Sequence, residues 1–518
     1  MYLRRMAHPS PPDPGASRAP DGVLDLLEAD MAAEAGGHFL RLAADYFAAT
    51  RAGDGPVSTP LTADEIAGRF DEPLPRTGRP LAEVAARVGR DVMADANRLQ
   101  HPMYVGHQVS APLPAAVWAE VVTAALNQST AVWEMSPTLT VLETQVVRWM
   151  CDAAGFGPAA GGTLTSGGTE ATFTALLAAR AAALPHAWRD GVGADPPVLV
   201  CGEHAHYAVA RAAGELGLGL RQVVTVPSER YRMSVPALAR TIDDLRAAGR
   251  RVMAVVATAG HTATGAFDDL SGVADVCERH DLWLHVDGAH GASALLSPRH
   301  RHRVRGLERA RSLAWDPHKM MLLPLSAGMV LVRDEADLDA AFAQQAPYLF
   351  HGAGGRRSWD LGTRSFQCSR RGDALKLWVA LQRYGSDGIA ALYDHLCDVA
   401  AQLHRLLTAR ADFEALHEPE GNILCFRYRP AALRGGGPEE ADGLDRLNQT
   451  LRERYNRSGR GWITATVLDG RRVLRVTVMN PRTGPAQLQT LLDGLAAEGG
   501  GLLDELFPRA AEASRAGS

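Results

Sequence analysis

Two residues stand out for chemistry, a carboxylate and a lysine that each follow a short apolar run. Asp287 sits in His285-Val-Asp-Gly-Ala-His-Gly291, after Asp281-Leu-Trp-Leu284. Lys319 sits in Asp316-Pro-His-Lys319, after Ser312-Leu-Ala-Trp315. Runs of this length read as buried strands, so both groups stand at strand ends in an α/β chain. A lysine is ordinarily a surface group. Here Pro317, His318, Met320 and Met321 flank it, which predicts partial burial, and desolvation favours the free amine that acts as a nucleophile. Asp287 has the opposite requirement: it must stay ionised, which a cationic ring nitrogen beside it would secure. A lysine to form a Schiff base and a carboxylate to hold a pyridine nitrogen protonated are the groups that pyridoxal phosphate requires.

Further segments agree with that chemistry without proving it. Thr165-Ser-Gly-Gly-Thr-Glu170 opens a strong helical pattern over 171–183. Glycines and a threonine at a helix start offer N–H groups and a hydroxyl to an anion such as a cofactor phosphate; an ordinary N-cap with a glycine turn is the other reading. Cys201-Gly-Glu-His-Ala-His-Tyr207 supplies His204 and His206, too few ligands for a metal site. His206 either stacks on a planar cofactor or is structural. In Ala257-Thr-Ala-Gly-His-Thr262, Thr258 leaves another strand end, where open α/β sheets place ligands, or belongs to a plain tight turn. No Gly-x4-Gly-Lys-Ser/Thr pattern occurs, which disfavours a nucleotide P-loop.

These groups need a scaffold that aligns strand ends. Strands are predicted at 197–200, 222–226, 252–257, 282–285, 313–315 and 328–332, with helical patterns between several of them. That implies a mostly parallel sheet covered by helices. Ahead of it lie helical patterns over 22–51, a Thr62/Glu65 capping box, and helices at 81–93, 118–126 and 139–154. The Gly-, Arg- and Ser-rich stretch 341–372 reads as a lid or binding loop. A helix from Asp373 to Tyr384 leads out of the sheet region. A strand at 422–428, a helix near 440–457, strands at 462–468 and 472–478 and a final helix then make a small α+β domain. The expected organisation is a disordered tail at 1–22, an N-terminal helical segment at 23–104 clasping a partner subunit, a large domain at 105–395 and a small C-terminal domain at 396–518.

Composition excludes several classes. At 518 residues the chain exceeds one compact core. A net charge of −5 gives no reason to expect nucleic acid, and the basic run Arg299-His-Arg-His-Arg-Val-Arg305 reads as a solvated loop. The 6 cysteines lack any Cys-x-x-Cys and read as reduced thiols. A proline-rich stretch stands where a signal core would be, and no apolar run reaches the length of a membrane helix. A soluble, cytoplasmic protein is expected.

The phosphate loop, histidine, aspartate and lysine occur in an order that resembles the group II pyridoxal-phosphate decarboxylases, which include the glutamate, aromatic amino acid, cysteine sulfinate and diaminobutyrate decarboxylases. The resemblance runs from about Leu61 into the C-terminal domain. It is carried by Ala125-Leu-Asn-Gln-Ser with Trp133 and Ser136-Pro137, the Thr165–Glu170 loop, His206-Tyr207, Ala257-Thr-Ala-Gly, His285-Val-Asp, Gly306-Leu-Glu-Arg-Ala310, Pro317-His-Lys319 and Arg370 to Trp378. It implies PLP fold type I, an aspartate aminotransferase-like large domain, in a homodimer with shared active sites. It implies a carboxy-lyase that converts an L-amino acid to its amine and CO2. Lys319 would carry pyridoxal 5'-phosphate, Asp287 would pair with the ring nitrogen, and His206 and Ala289 would cover the two ring faces. Gly168, Thr169 and His318 would lie near the phosphate and Thr258 near the ring. Tyr348 matches a loop tyrosine that returns a proton to Cα in the neighbouring subunit's site. Arg370 matches an arginine that binds substrate carboxylate, and His107 and Gln108 fall where the family lines its substrate pocket.

The sequence departs from the family's usual pattern at Gly288 for Ala, His290 for an aromatic, Asp316 for the Asn of many members and Ala208 for Ser. The segments around Asn127 and Arg370–Lys376 resemble the diaminobutyrate branch, whereas the Tyr348 loop and Gln367-Cys368 resemble the glutamate and cysteine sulfinate branch. The expected substrate is a small polar or acidic amino acid. Tyr348, in place of Phe, favours an amine product over an aldehyde from oxidative deamination; a non-catalytic cofactor-binding homologue is the remaining reading.

Overall fold

The computed structural model describes residues 22–343, 359–433 and 438–507. They divide into two compact units, one of residues 22–54 and 59–97 and the other of 55–58 and 98–507. In the first unit, helices Val23–Asp30 and Ala33–Ala52 precede a short helix, Ala63–Ala67. That short helix starts on the predicted capping box: the Glu65 N–H donates to Thr62 Oγ1 at 3.3 Å and the Thr62 N–H to Glu65 Oε2 at 2.7 Å. The helix expected over 81–93 is an α-helix, Leu81–Arg87, that widens into a π-helical turn, Val88–Met93.

The second unit is built on a sheet of seven strands. In chain order its strands are β1 (Gly161–Thr165), β2 (Val198–Gly202) and β3 (Val223–Val226), then, beyond a small hairpin of β4 (Ser228–Glu229) and β5 (Arg232–Met233), β6 (Val252–Thr258), β7 (Trp283–Asp287), β8 (Ser312–Trp315) and β9 (Gly328–Val332). The spatial order is β1-β9-β8-β7-β6-β2-β3. β3, β2, β6, β7 and β8 run parallel, and β9 turns back antiparallel to both β8 and β1. The central strands β6, β7 and β8 are buried along their whole length, as happens when helices cover both faces, and β6 shows it as a near-continuous apolar run. β1 falls outside the predicted strands because Gly161-Gly-Thr-Leu-Thr165 has too few apolar residues to show a pattern.

A second sheet of four antiparallel strands comprises β10 (Phe413–Ala415), β11 (Ile423–Tyr428), β12 (Thr464–Leu468) and β13 (Arg471–Thr477), with helices Pro438–Arg457 and Pro485–Leu506 packed beside it. The helix Ala374–Thr408 connects the two sheets and is broken at Gly385, whose φ of 69° suits glycine. The predicted helix end at Tyr384 coincides with this break, and the boundary expected at 395 lies within the second arm. The basic run is largely solvated, with Arg299, Arg301, His302 and Arg305 exposed, but it is locally ordered: residues Arg301–Val304 form a 3-10 turn, Arg299 pairs with Asp398 at 2.6 Å, and Arg303 pairs with Glu420 at 3.4 Å. Cys151, Cys201, Cys277, Cys397 and Cys425 are buried free thiols, pushed up to about 12 by that burial. Among the described residues no helix is long and apolar enough to cross a membrane.

Candidate active site

The ends of β6 and β7, the turn after β8 and the start of the helix Gly168–Ala183 enclose a cavity of about 330 Å³, a size typical of small-molecule sites. Its wall holds Gly168, Thr169, His206, Thr258, Asp287, Ala289, His318 and Lys319. Sheet register accounts for part of this convergence. Thr258 lies opposite Asp287, and Asp287 lies opposite Ala314, two residues before Asp316.

At one end of the cavity the helix start comes close to the turn after β7. A Cβ added at Gly168 would sit 2.8 Å from Ala289 Cβ and 3.0 Å from Asp316 Oδ2, so only glycine permits this approach. The Gly168 N–H donates to Asp316 Oδ2 at 3.0 Å. The same oxygen lies 3.3 Å from Lys319 Nζ and 3.4 Å from His318 Nε2. Asp316 Oδ1 is buried and has no partner among the described residues. His318 Nδ1 accepts the Ala327 N–H at 3.0 Å, so the ring proton sits on Nε2, facing Asp316; burial holds its pKa below the usual histidine value.

At the other end, Asp287 is buried and its Oδ1 accepts the Ala289 N–H at 3.2 Å. The Lys319 side chain keeps 20% of its exposure, enough to be reached from the cavity. His206 Nδ1 accepts the Ala208 N–H at 3.2 Å, and burial lowers its pKa although the carboxylates of Asp287 and Asp316 oppose the shift. It therefore presents a neutral imidazole. His290, where the resemblance leads one to expect an aromatic, is also neutral, its pKa lowered to about 3 by burial. Asn422 Nδ2 donates to the Val478 carbonyl at 2.9 Å, so Asn422 Oδ1 faces His290 Nε2, which donates to it at 2.7 Å. The turn that carries Asp287 and Ala289 is thus anchored to the second sheet.

Pyridoxal phosphate suits this donor set. The Thr169 N–H and hydroxyl at the helix start, with Gly168 and His318 beside them, would hold the phosphate; Asp287 would hold the ring nitrogen and Lys319 the aldehyde carbon, between His206 and Ala289. A Cβ at Gly167 would stand 3.2 Å from His318 Cε1, so the paired glycines keep the helix start beside His318 open for an anionic group.

Other predicted residues lie elsewhere. Arg370 does not face the cavity. Its Nη2 pairs with Glu143 Oε1 at 2.6 Å and donates to Thr163 Oγ1 at 2.9 Å, and its Nη1 donates to Thr130 Oγ1 at 3.2 Å. This buried network already uses the guanidinium, so the structure does not bring Arg370 to the cavity where the expected substrate carboxylate would bind. His107 is exposed and tilts against Trp462, with ring centroids 6.4 Å apart; Gln108 is half-buried. Neither lines the cavity wall, although Ser110 of the same segment donates to the His318 carbonyl at 3.0 Å. Tyr348 lies outside the described residues.

One residue passed over in the sequence borders the site. Arg475 on β13 is buried, has no carboxylate partner among the described residues, and donates from Nη1 to the carbonyl of Thr262, a cavity residue, at 2.9 Å. Its charge is one of the influences on His290. A signal existed, because Arg475 interrupts the apolar run Val473-Leu-Arg-Val476.

Comparison with known proteins identifies the family. The profile of the pyridoxal-dependent decarboxylase conserved domain matches residues 66–429. L-2,4-diaminobutyrate decarboxylase of Rhizobium meliloti (strain 1021) is 36% identical over 432 residues, which is 82% of this chain and 83% of that one. Cysteine sulfinic acid decarboxylase of Mus musculus is 33% identical over 439 residues, 83% of this chain and 89% of that one. The crystal structure of mouse CSAD superposes with a TM-score of 0.85 at 29% identity, covering 93% of this chain and 99% of that one. The chain therefore belongs to the pyridoxal-dependent decarboxylases, and it is an amino acid decarboxylase that uses pyridoxal phosphate.

Proposed function

We propose that the substrate is a small amino acid with an acidic side chain and that Arg475 recognises it. The observation that carries this reading is a buried guanidinium at the cavity rim with no carboxylate among the described residues to neutralise it. An unpaired buried charge is costly, and a substrate anion would relieve it. When bound, pyridoxal phosphate supplies the electron sink for the carboxylate that leaves as CO2. Lys319 would hold the cofactor covalently through its amine and, once released, would be free to take up a proton in the cavity. Asp287 would hold a proton on the ring nitrogen, and the neutral His206 would cover the ring without adding charge. Tyr348 returns a proton to Cα, so that an amine rather than an aldehyde leaves.

Replacing Arg475 with glutamine raises KM for the acidic substrate about 10- to 100-fold, the equivalent of ~1.5–3 kcal/mol for a charged hydrogen bond. The check is CO2 and amine release across a panel of amino acids. The identity with a diaminobutyrate decarboxylase favours a second reading, a diamino acid substrate. Under that reading R475Q leaves KM for 2,4-diaminobutyrate unchanged or lower, and acidic amino acids are not turned over.

We further propose a cytoplasmic homodimer with shared sites. The helix Pro114–Leu126 exposes Val121, Val122 and Leu126 on one face, and Trp133 and Met135 are also exposed. Apolar surface of this kind is commonly covered by a partner, and the proposed proton donor Tyr348 would then act across the interface. Light scattering should give twice the chain mass of 55.4 kDa; a monomer with full activity would contradict shared sites.

A further inference from the structure

The turn beneath the cavity contains a buried ion pair that takes no part in the chemistry above. His261 and Asp268 are almost fully enclosed, with His261 Nε2 2.9 Å from Asp268 Oδ1. Asp268 also accepts the Thr258 N–H on Oδ2 and the Met233 N–H on Oδ1, each at 2.7 Å. On its far side, His261 Nδ1 lies 3.2 Å from the carbonyl oxygen of His204. Both neighbours of the imidazole are acceptors, so both ring nitrogens must donate. Burial opposes the charge, yet the bond to Asp268 raises the His261 pKa, and the same bond lowers that of Asp268. A continuous path results, from the Thr258 N–H through Asp268 and His261 to the backbone of His204, two residues before His206. Thr258 and His206 both line the cavity.

We propose that His261 is a positioning residue, an imidazolium strut that fixes the His206 loop against the end of β6 and so sets the stacking face for the cofactor. The proposal rests on the role given to His206 above. A neutral side chain with one donor cannot serve both acceptors. The loop would keep its fold but lose its fixed distance from Thr258. Small displacements of a positioning group cost on the order of 10- to 100-fold in rate.

The test uses the holoenzyme. H261Q keeps an N–H for Asp268, but both of its donors sit on one nitrogen and its other polar atom is an acceptor, so the bond to the His204 carbonyl is lost. The expected result is about 10-fold weaker retention of pyridoxal phosphate, a diminished circular dichroism band of the bound cofactor, and a lower kcat with KM changed less than about 2-fold. Because the strut acts through His206, H261Q and H206N should be non-additive in cofactor retention. Fully additive effects, or a variant with parental retention, dichroism and kcat, would overturn the proposal. Wild-type protein labelled with 15N-histidine gives a readout that needs no variant. His261 should be doubly protonated at pH 8, and a neutral ring there would equally overturn it. Failure of the wild-type chain to take up the cofactor would instead count against the assigned site.

Discussion

Replacing Lys319 with alanine abolishes CO2 release and removes the visible absorbance of the lysine-bound cofactor. The loss should be at least about 10²- to 10⁴-fold, the range of a missing proton-transfer group alone, since Lys319 also supplies the covalent anchor. The fold should survive. Lys319 is partly exposed, and its polar contact is with Asp316 at 3.3 Å, which still holds the Gly168 N–H and faces His318. The apo variant should therefore melt near the parent and still bind pyridoxal phosphate non-covalently. Parental absorbance and turnover in K319A would refute the assignment of the anchor.

The other large effect separates two arginines. Arg370→Met strands Glu143, whose side chain is 2% exposed, in a low-dielectric interior. Breaking such a pair from one side costs about 3–5 kcal/mol. Glu143 Oε1 also accepts the Leu164 N–H at 3.2 Å, so the damage extends to β1, which leads into the helix start of the phosphate cradle. The expected outcome is a large drop in melting temperature and denaturation midpoint, with KM of the surviving enzyme little changed. R475Q should show the reverse, a stable protein with poor substrate binding. An R370M variant with parental stability and a raised KM would restore Arg370 to the substrate site.

The strand ends that matter most were legible because their chemistry is local. Asp287 and Thr258 end apolar runs, His206 and Lys319 lie in the short turns that follow such runs, and parallel register then draws several of these turns together. Arg370 shows the limit of that reasoning. A family motif points to the residue, but only packing reveals that Glu143, Thr130 and Thr163 already occupy it. Arg475 and the His290–Asn422 contact depend on where the second sheet docks, and local periodicity holds no such information. β1 was missed for a related reason: glycines there give close backbone contact, seen in the Cβ that at Gly162 would lie 2.4 Å from the Val330 carbonyl, and they erase the apolar pattern.

The hydrogen bond from Asn422 to the Val478 carbonyl bears on how the chain can be shortened. The conserved-domain match stops at residue 429, and a fragment cut there would retain every residue first read as catalytic. It would lack both Val478 and Arg475, so His290 would lose the support of its amide and the site would lose a buried cation. The smallest autonomous catalyst therefore extends well past the stretch that similarity alone would select for expression.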